Sequence, residues 1–229
     1  HPIPVRHALT MGEVALMHKK YWGGKDCNLE IIPMLGWKRE MSYEDTGLAW
    51  VLPSPNLATV EAAYTFVGTV LWEGTNISEG RGSTRSLEIV GHPKIEAFSL
   101  HEKLKEVLKR DKLEGQVLRP LVFLPTFQKH QGTPTGGYQI HVTDRKKFEP
   151  WRLNQTLCRE FYHHLGKDFV WKQPPYEYEY DRMPIDLING TDLLRHWVEK
   201  NGSVAEYNEI MKPNQEDYAA KRHENLLYR

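Results

Sequence analysis

Residues 72–85 read WEGTNISEGRGSTR and gather two glutamates, two arginines, three glycines and a run of hydroxyl and amide side chains. Glu73 and Glu79 would lie roughly 20 Å apart in an extended chain, but Gly74, Gly80 and Gly82 let the segment fold back so that both carboxyls face one pocket. A carboxyl pair about 5 to 10 Å apart is what glycoside hydrolysis requires: one group protonates the leaving oxygen while the other attacks the sugar or activates water. Asn76, Ser78 and Thr84 suit sugar hydroxyls or an acetamido group, Arg81 and Arg85 suit a carboxylate, and Trp72 offers an apolar ring face. The competing reading is structural, with glycines supplying positive φ and Glu–Arg pairs closing a surface loop. The string EGRGST also suggests a phosphate cradle, but it lacks the Walker lysine and the full dinucleotide spacing.

Other residues extend the candidate site. His7 follows Arg6 just ahead of a helix, and His141 lies in the alternating stretch YQIHVTD, where a structural or supporting role fits as well as substrate contact. TFQKHQGTPTGG reads as a second functional loop. Tyr176, Tyr178 and Tyr180 alternate with glutamates, as an aromatic sugar platform or an edge strand would. Cys27 and Cys158 match no zinc spacing and read as small core residues, with a disulfide between them as the alternative, and His163 and His164 are too close in sequence to ligate from one helical face. No metal and no cofactor are expected.

These groups need elements to hold them. Thr10 and Glu13 form a capping box ahead of a helix carrying Val14, Met17 and Tyr21 at helical spacing. LEIIPML reads as a strand, LATVEAAYTF as a helix ending near Gly68, and TVLW as a short strand from which the polar segment hangs. Residues 98–110 have amphipathic helix spacing, VLRPLVFLP and YQIHVTD read as buried strands, and Pro150 opens a helix through Leu165. Thr191 and Ser203 cap further helices, leaving a helical tail over about 191–229. The expectation is one α/β (mixed α+β) domain over 1–229, a mixed sheet with flanking helices. At 229 residues, with 30 acidic and 30 basic side chains, the chain can bury a sizeable core and carries no basic patch for nucleic acid. No apolar run is long enough to span a bilayer, and no signal-like segment opens the chain.

The string WVLPSPNLATVEAAYTFVGTVLWEGTNISEGRGSTRSLEIVG closely resembles the core signature of the DUF1343 family, whose characterised members are exo-β-N-acetylmuramidases of the NamZ type. PIPVRHALTMGEVA, LPTFQKHQGTPTGGYQIHVTD and IDLINGTDLLR continue the pattern in order. The resemblance implies release of N-acetylmuramic acid from the non-reducing ends of peptidoglycan fragments by a bacterial, exported protein. It implies two domains, a Rossmann-like N-terminal half and a C-terminal α/β half, with the active site in the cleft between them. This chain resembles the C-terminal half; the N-terminal half, with its Glu-His-Gly motif, is expected as a partner domain outside it. Glu73 and Glu79 stand as catalytic candidates, with a non-catalytic sugar-binding module as the alternative. Thr135 replaces the cysteine common before the paired glycines, and Ser86 replaces a proline, changes that remove no charge.

Overall fold

The helix Met11–Tyr21 (α1) starts where the sequence places it, because the Thr10 hydroxyl accepts from Glu13 N at 3.3 Å and the Glu13 carboxylate accepts from Thr10 N at 2.8 Å. Glu13 is fully buried and takes further bonds from Arg39 and from Leu227 N. Burial alone would raise its pKa, but these donors hold it below the usual carboxylate range. The computed structural model describes residues 3–23, 27–213 and 215–228. It divides into two units, 1–49 with 211–229, and 50–210. The first unit comprises α1, a long irregular stretch and a second helix near the C-terminus, where Lys20 and Tyr21 of α1 both bond Glu224.

The stretch LEIIPML forms no strand and joins no sheet among the described residues. Ile31 lies against Gly12 of α1, but Ile32 and every residue from it through Leu35 is exposed, so the alternation a half-buried strand needs is not sustained and no neighbouring strand makes a ladder. Cys27 is exposed and only Cys158 is a core residue; both are free thiols.

In the second unit, strands Ile89–His92 (β1), Gln116–Phe123 (β2) and Thr135–Val142 (β3) form a sheet in the order β1-β3-β2. Both pairings are antiparallel, with Val90 opposite Tyr138 and Pro120 opposite Tyr138 from the other side, so the expected mixed sheet is an antiparallel one. Helix Val60–Thr69 (α2) crosses the central helix Pro150–Leu165 (α4), and helix Ala97–Arg110 (α3) lies on the sheet, where Tyr138 OH donates to Ala97 O at 2.5 Å. Tyr138 also stacks on Phe161 of α4. TVLW, expected as a strand, instead finishes α2 and continues as a 3-10 turn, Val70–Gly74. The Thr65 and Thr69 hydroxyls both donate to Leu87 O, at 2.8 and 2.9 Å, which anchors this β-branched run as buried helix.

Helices Pro184–Asn189 (α5), Leu193–Glu199 (α6) and Val204–Met211 (α7) follow, and Gln215–Glu224 (α8) completes the first unit. Ser203 and Glu206 form the expected capping box at α7. Arg159 on α4 is buried and bonds Asp111, Glu160 and the carbonyl of Gly202, tying the end of α3 and the turn before α7 to the core. The tyrosine-rich 176–180 stretch is a tight turn closed by Tyr176 and Glu179, not an edge strand.

The α2–α4 crossing depends on one missing side chain, since a Cβ on Gly68 would sit 2.0 Å from Pro150 O. Replacing glycine by alanine inside an open helix stabilises by about 1 kcal/mol. Here Gly68→Ala is expected to destabilise by about 2–3 kcal/mol through overpacking, read as a lower midpoint in urea unfolding.

Candidate functional site

The 3-10 turn Val70–Gly74 carries the polar segment out of α2. Trp72 remains in the core, fully buried, with its indole N–H donating to Asn154 Oδ1 at 2.8 Å and its ring against Phe161. It therefore has no free face for a sugar, and its place in the site is to fix where the segment begins. Ser78 then pairs with Gly91 through two backbone bonds of 2.8 and 3.0 Å, extending the sheet beyond β1. Gly82, at φ +84°, brings its carbonyl to Thr126 N and Thr126 Oγ1, both at 2.9 Å. A side chain at Gly82 would meet the backbone of Thr126 and Phe127 at 2.7 Å, so glycine is required by both conformation and space.

This folding brings Glu73 and Glu79 to one guanidinium. Arg81 donates from Nη2 to Glu73 Oε1 at 2.6 Å, and its Nε lies 2.8 Å from Glu79 Oε1 in an ion pair. The second oxygen of Glu79 receives Lys129 Nζ at 2.8 Å, and the same ammonium reaches Trp72 O at 2.7 Å and Ile77 O at 2.9 Å. All three ammonium donors are thus used. The second oxygen of Glu73 receives Tyr176 OH at 2.8 Å. Glu79 is 3 % exposed, whereas the Glu73 side chain keeps 23 %. Burial pushes the Lys129 pKa down against the opposing pull of Glu79. Burial, and then the bond to Glu73, pushes the Tyr176 hydroxyl up.

The remaining sequence candidates fall in different places. Asn76 spends its amide on the 168–170 segment, giving Nδ2 to Asp168 O at 2.8 Å and accepting Val170 N at 2.9 Å. Ser78 is buried and accepts from Gly80 N. Thr84 and Arg85 are exposed, and Arg85 reaches Glu88 at 3.4 Å. His141 is exposed and accepts from Arg119 Nε at 3.3 Å. Arg6 and His7 belong to the first unit, where His7 Nδ1 accepts from Leu9 N and the His7 carbonyl accepts from Tyr218 OH. Sequence reasoning marked the 126–137 loop but did not single out Lys129 or His130, and it weighed Tyr176 as a platform residue, not as a donor to Glu73. No spacing rule links Lys129 to a carboxylate 50 positions earlier.

Beside the carboxylates, the rings of His92 and His130 meet edge-on with centroids 4.7 Å apart. His130 Nε2 lies 2.7 Å from Asn76 O and so carries its proton there. His92 faces donors on both nitrogens, Lys94 N at 3.2 Å and Asn76 Nδ2 at 3.2 Å. Burial, then the His130 and Lys94 charges, lower its pKa to about 4, with Asp168 opposing. A histidine depressed in the folded state binds its proton more readily when unfolded, so stability is complete above about pH 6.5 and is lost as the pH falls toward 4. After allowing for solvent screening, going from pH 7 to pH 5 is expected to cost about 1 kcal/mol through this ring. Urea unfolding at the two pH values checks it: His92→Gln, which cannot charge, flattens the difference by that amount.

Among the described residues no helix is long and apolar enough to cross a membrane. Residues 64–228 match the family model for the C-terminal part of the exo-β-N-acetylmuramidase NamZ, and residues 1–61 match the model for its N-terminal part. The chain thus reaches beyond the C-terminal region alone. Over 228 residues it is 35 % identical to the peptidoglycan β-N-acetylmuramidase NamZ of Bacillus subtilis (strain 168), covering 100 % of this chain and 52 % of that protein. Two crystal structures of DUF1343 proteins from Bacteroides fragilis NCTC 9343 share its fold, with TM-scores of 0.83 and 0.69 at 24 % and 23 % identity, covering 99 % and 100 % of this chain and 58 % of each of theirs. The chain spans about half the length of the curated relative it matches. Matched across most of its length by the C-terminal model and over its first 61 residues by the N-terminal one, the chain belongs to the NamZ (DUF1343) family of exo-β-N-acetylmuramidases.

Proposed function

We propose that this chain forms the substrate-site part of a glycoside hydrolase that releases terminal N-acetylmuramic acid from the non-reducing ends of peptidoglycan fragments, in a bacterial, exported setting. The observation that carries the reading is the pair of glutamates held at two edges of Arg81, one buried and one partly exposed. Two carboxyl groups in unequal environments are the starting point for dividing acid from base or nucleophile in glycoside hydrolysis. In this assignment Glu73 meets the sugar, oriented by Arg81 and Tyr176. Glu79, with each oxygen taken by a cation, positions Arg81 and the segment around it.

A second reading is a non-catalytic sugar-binding module. It is favoured by the closure of the same cluster, in which Arg81 and Lys129 balance both carboxylates and every carboxylate oxygen has a partner.

Release of N-acetylmuramic acid from a chromogenic muramide separates the two. The chain by itself is expected to bind muramyl sugar weakly and turn it over negligibly, because in this assignment Glu73 is its one catalytic carboxyl, the second belongs to the partner domain outside the chain, and removing one member of a catalytic pair removes most of the rate. Turnover matching that of the Bacillus subtilis relative would place both catalytic groups within this chain. In a protein of the relatives' full length containing this chain, Glu73→Gln should lower kcat by about a hundredfold or more with a small change in KM, the loss expected for a proton-transfer or nucleophilic group. An unchanged kcat supports the binding-module reading.

A further inference from the structure

A muramyl sugar differs from a glucosaminyl sugar by a lactyl ether ending in a carboxylate, so selectivity requires a cation with a free donor edge. Arg81 does not serve, because its charge is already neutralised: Nη2 donates to Glu73, Nε is ion-paired with Glu79, and its cluster sets two cations against two carboxylates. A few residues further along the same segment the balance changes. Glu88 is buried, fixed by Thr59 Oγ1 at 2.7 Å, and approached by Arg85 Nη1 and Gln139 Nε2 at 3.4 Å each. Gln139 Oε1 in turn accepts from Arg119 Nη2 at 2.6 Å, and Arg119 Nε donates to His141 Nε2 at 3.3 Å. Arg85 is paired with Glu88 directly and Arg119 reaches it only through Gln139, so two guanidiniums share one carboxylate and the cluster carries one excess positive charge.

We propose that Arg119 and Arg85 form a carboxylate-reading site that takes the lactyl group of a muramyl ligand. This rests on the muramyl reading above. Gln139 orients Arg119, because its amide is itself oriented by Glu88, and Glu88 is anchored by the residue that caps α2. The remaining terminal nitrogen of Arg119 has no protein partner among the described residues. Arg85 is half exposed and makes only a long contact to Glu88, so it can turn to an incoming anion at little cost. Since His141 Nε2 accepts from Arg119, the neutral ring carries its proton on Nδ1 and adds a third donor. Val117, paired with His141 across the ladder and 52 % exposed, supplies an apolar surface for the lactyl methyl. A planar guanidinium matches a carboxylate in a way a point charge does not.

The test is binding by the chain of three probes, the methyl β-glycosides of N-acetylmuramic acid and N-acetylglucosamine, and D-lactate, followed by titration calorimetry and by NMR of the arginine side chains. The muramide is expected to bind about tenfold or more tightly than the glucosaminide, with a preference that shrinks as salt rises. Arg119→Met and Arg85→Met should each narrow that preference to within a few-fold, while Arg119→Lys restores part of it. The Arg119→Met chain should unfold at the wild-type temperature, as expected for an exposed side chain on an edge strand. If D-lactate perturbs Arg119 and Arg85 while neither sugar binds, the anion site stands and the muramyl reading falls. If the muramide binds selectively but neither arginine variant alters the preference, the site is overturned and the muramyl reading stands. Equal binding of both sugars, or no response of these arginines to any probe, overturns the proposal.

Discussion

The ammonium of Lys129 is the constraint on which the site depends. Placing it among Glu79, Trp72 O and Ile77 O removes a cation from water, which is tolerable only when all its donors and the opposing carboxylate are satisfied together. That requirement fixes the path of the 72–85 segment at both ends of its first turn and holds the 124–134 connection of the hairpin against it. Arg81 then has one carboxylate already in place and needs only Glu73 to complete its fork. The strained backbone of the hairpin connection, with Gln128 at φ +68° and His130 at φ +60°, is held in place by the same contacts.

One short stretch of chain therefore builds two charge clusters of opposite character. The first is closed, balanced and largely buried, and it gives the segment its shape. The second begins at Arg85, lies on the sheet, and leaves donors at the surface. The sheet makes this separation possible: Gln139 and His141 project from alternate positions of β3 onto the face that carries Glu88 and Arg119, while Tyr138 and Ile140 project into the core. A closed cluster beside an open one divides holding from reading among residues of the same chemical type.

The helices with caps were legible because caps are local: Thr10 with Glu13, Pro150 and Ser203 with Glu206 announce helix starts within four residues. The β2–β3 hairpin was legible from its apolar, β-branched runs. LEIIPML and TVLW were misread for a shared reason, since β-branched composition records a preference to be packed and says nothing about whether a partner strand is present. At the site, the glycine-rich segment and both glutamates stood out in the sequence, but the sharing of Arg81 between them did not. Trp72 was taken for a surface ring because its neighbours are polar, yet the 3-10 turn points it into the core. Tyr176 and Lys129 reach the site from residues distant in sequence, which no periodicity records.

That distance has a consequence for how the molecule comes into being. Glu79 waits for Lys129, 50 residues later, and Glu73 for Tyr176, 103 residues later. Contacts separated this widely in sequence carry a loop-closure cost that is met only after nearer contacts have formed. The carboxylate pair is thus among the last features to acquire its geometry as the chain folds. Until the hairpin and the Tyr176 turn have docked, its four charges remain hydrated, and the segment that will hold them passes through folding as an open, polar stretch.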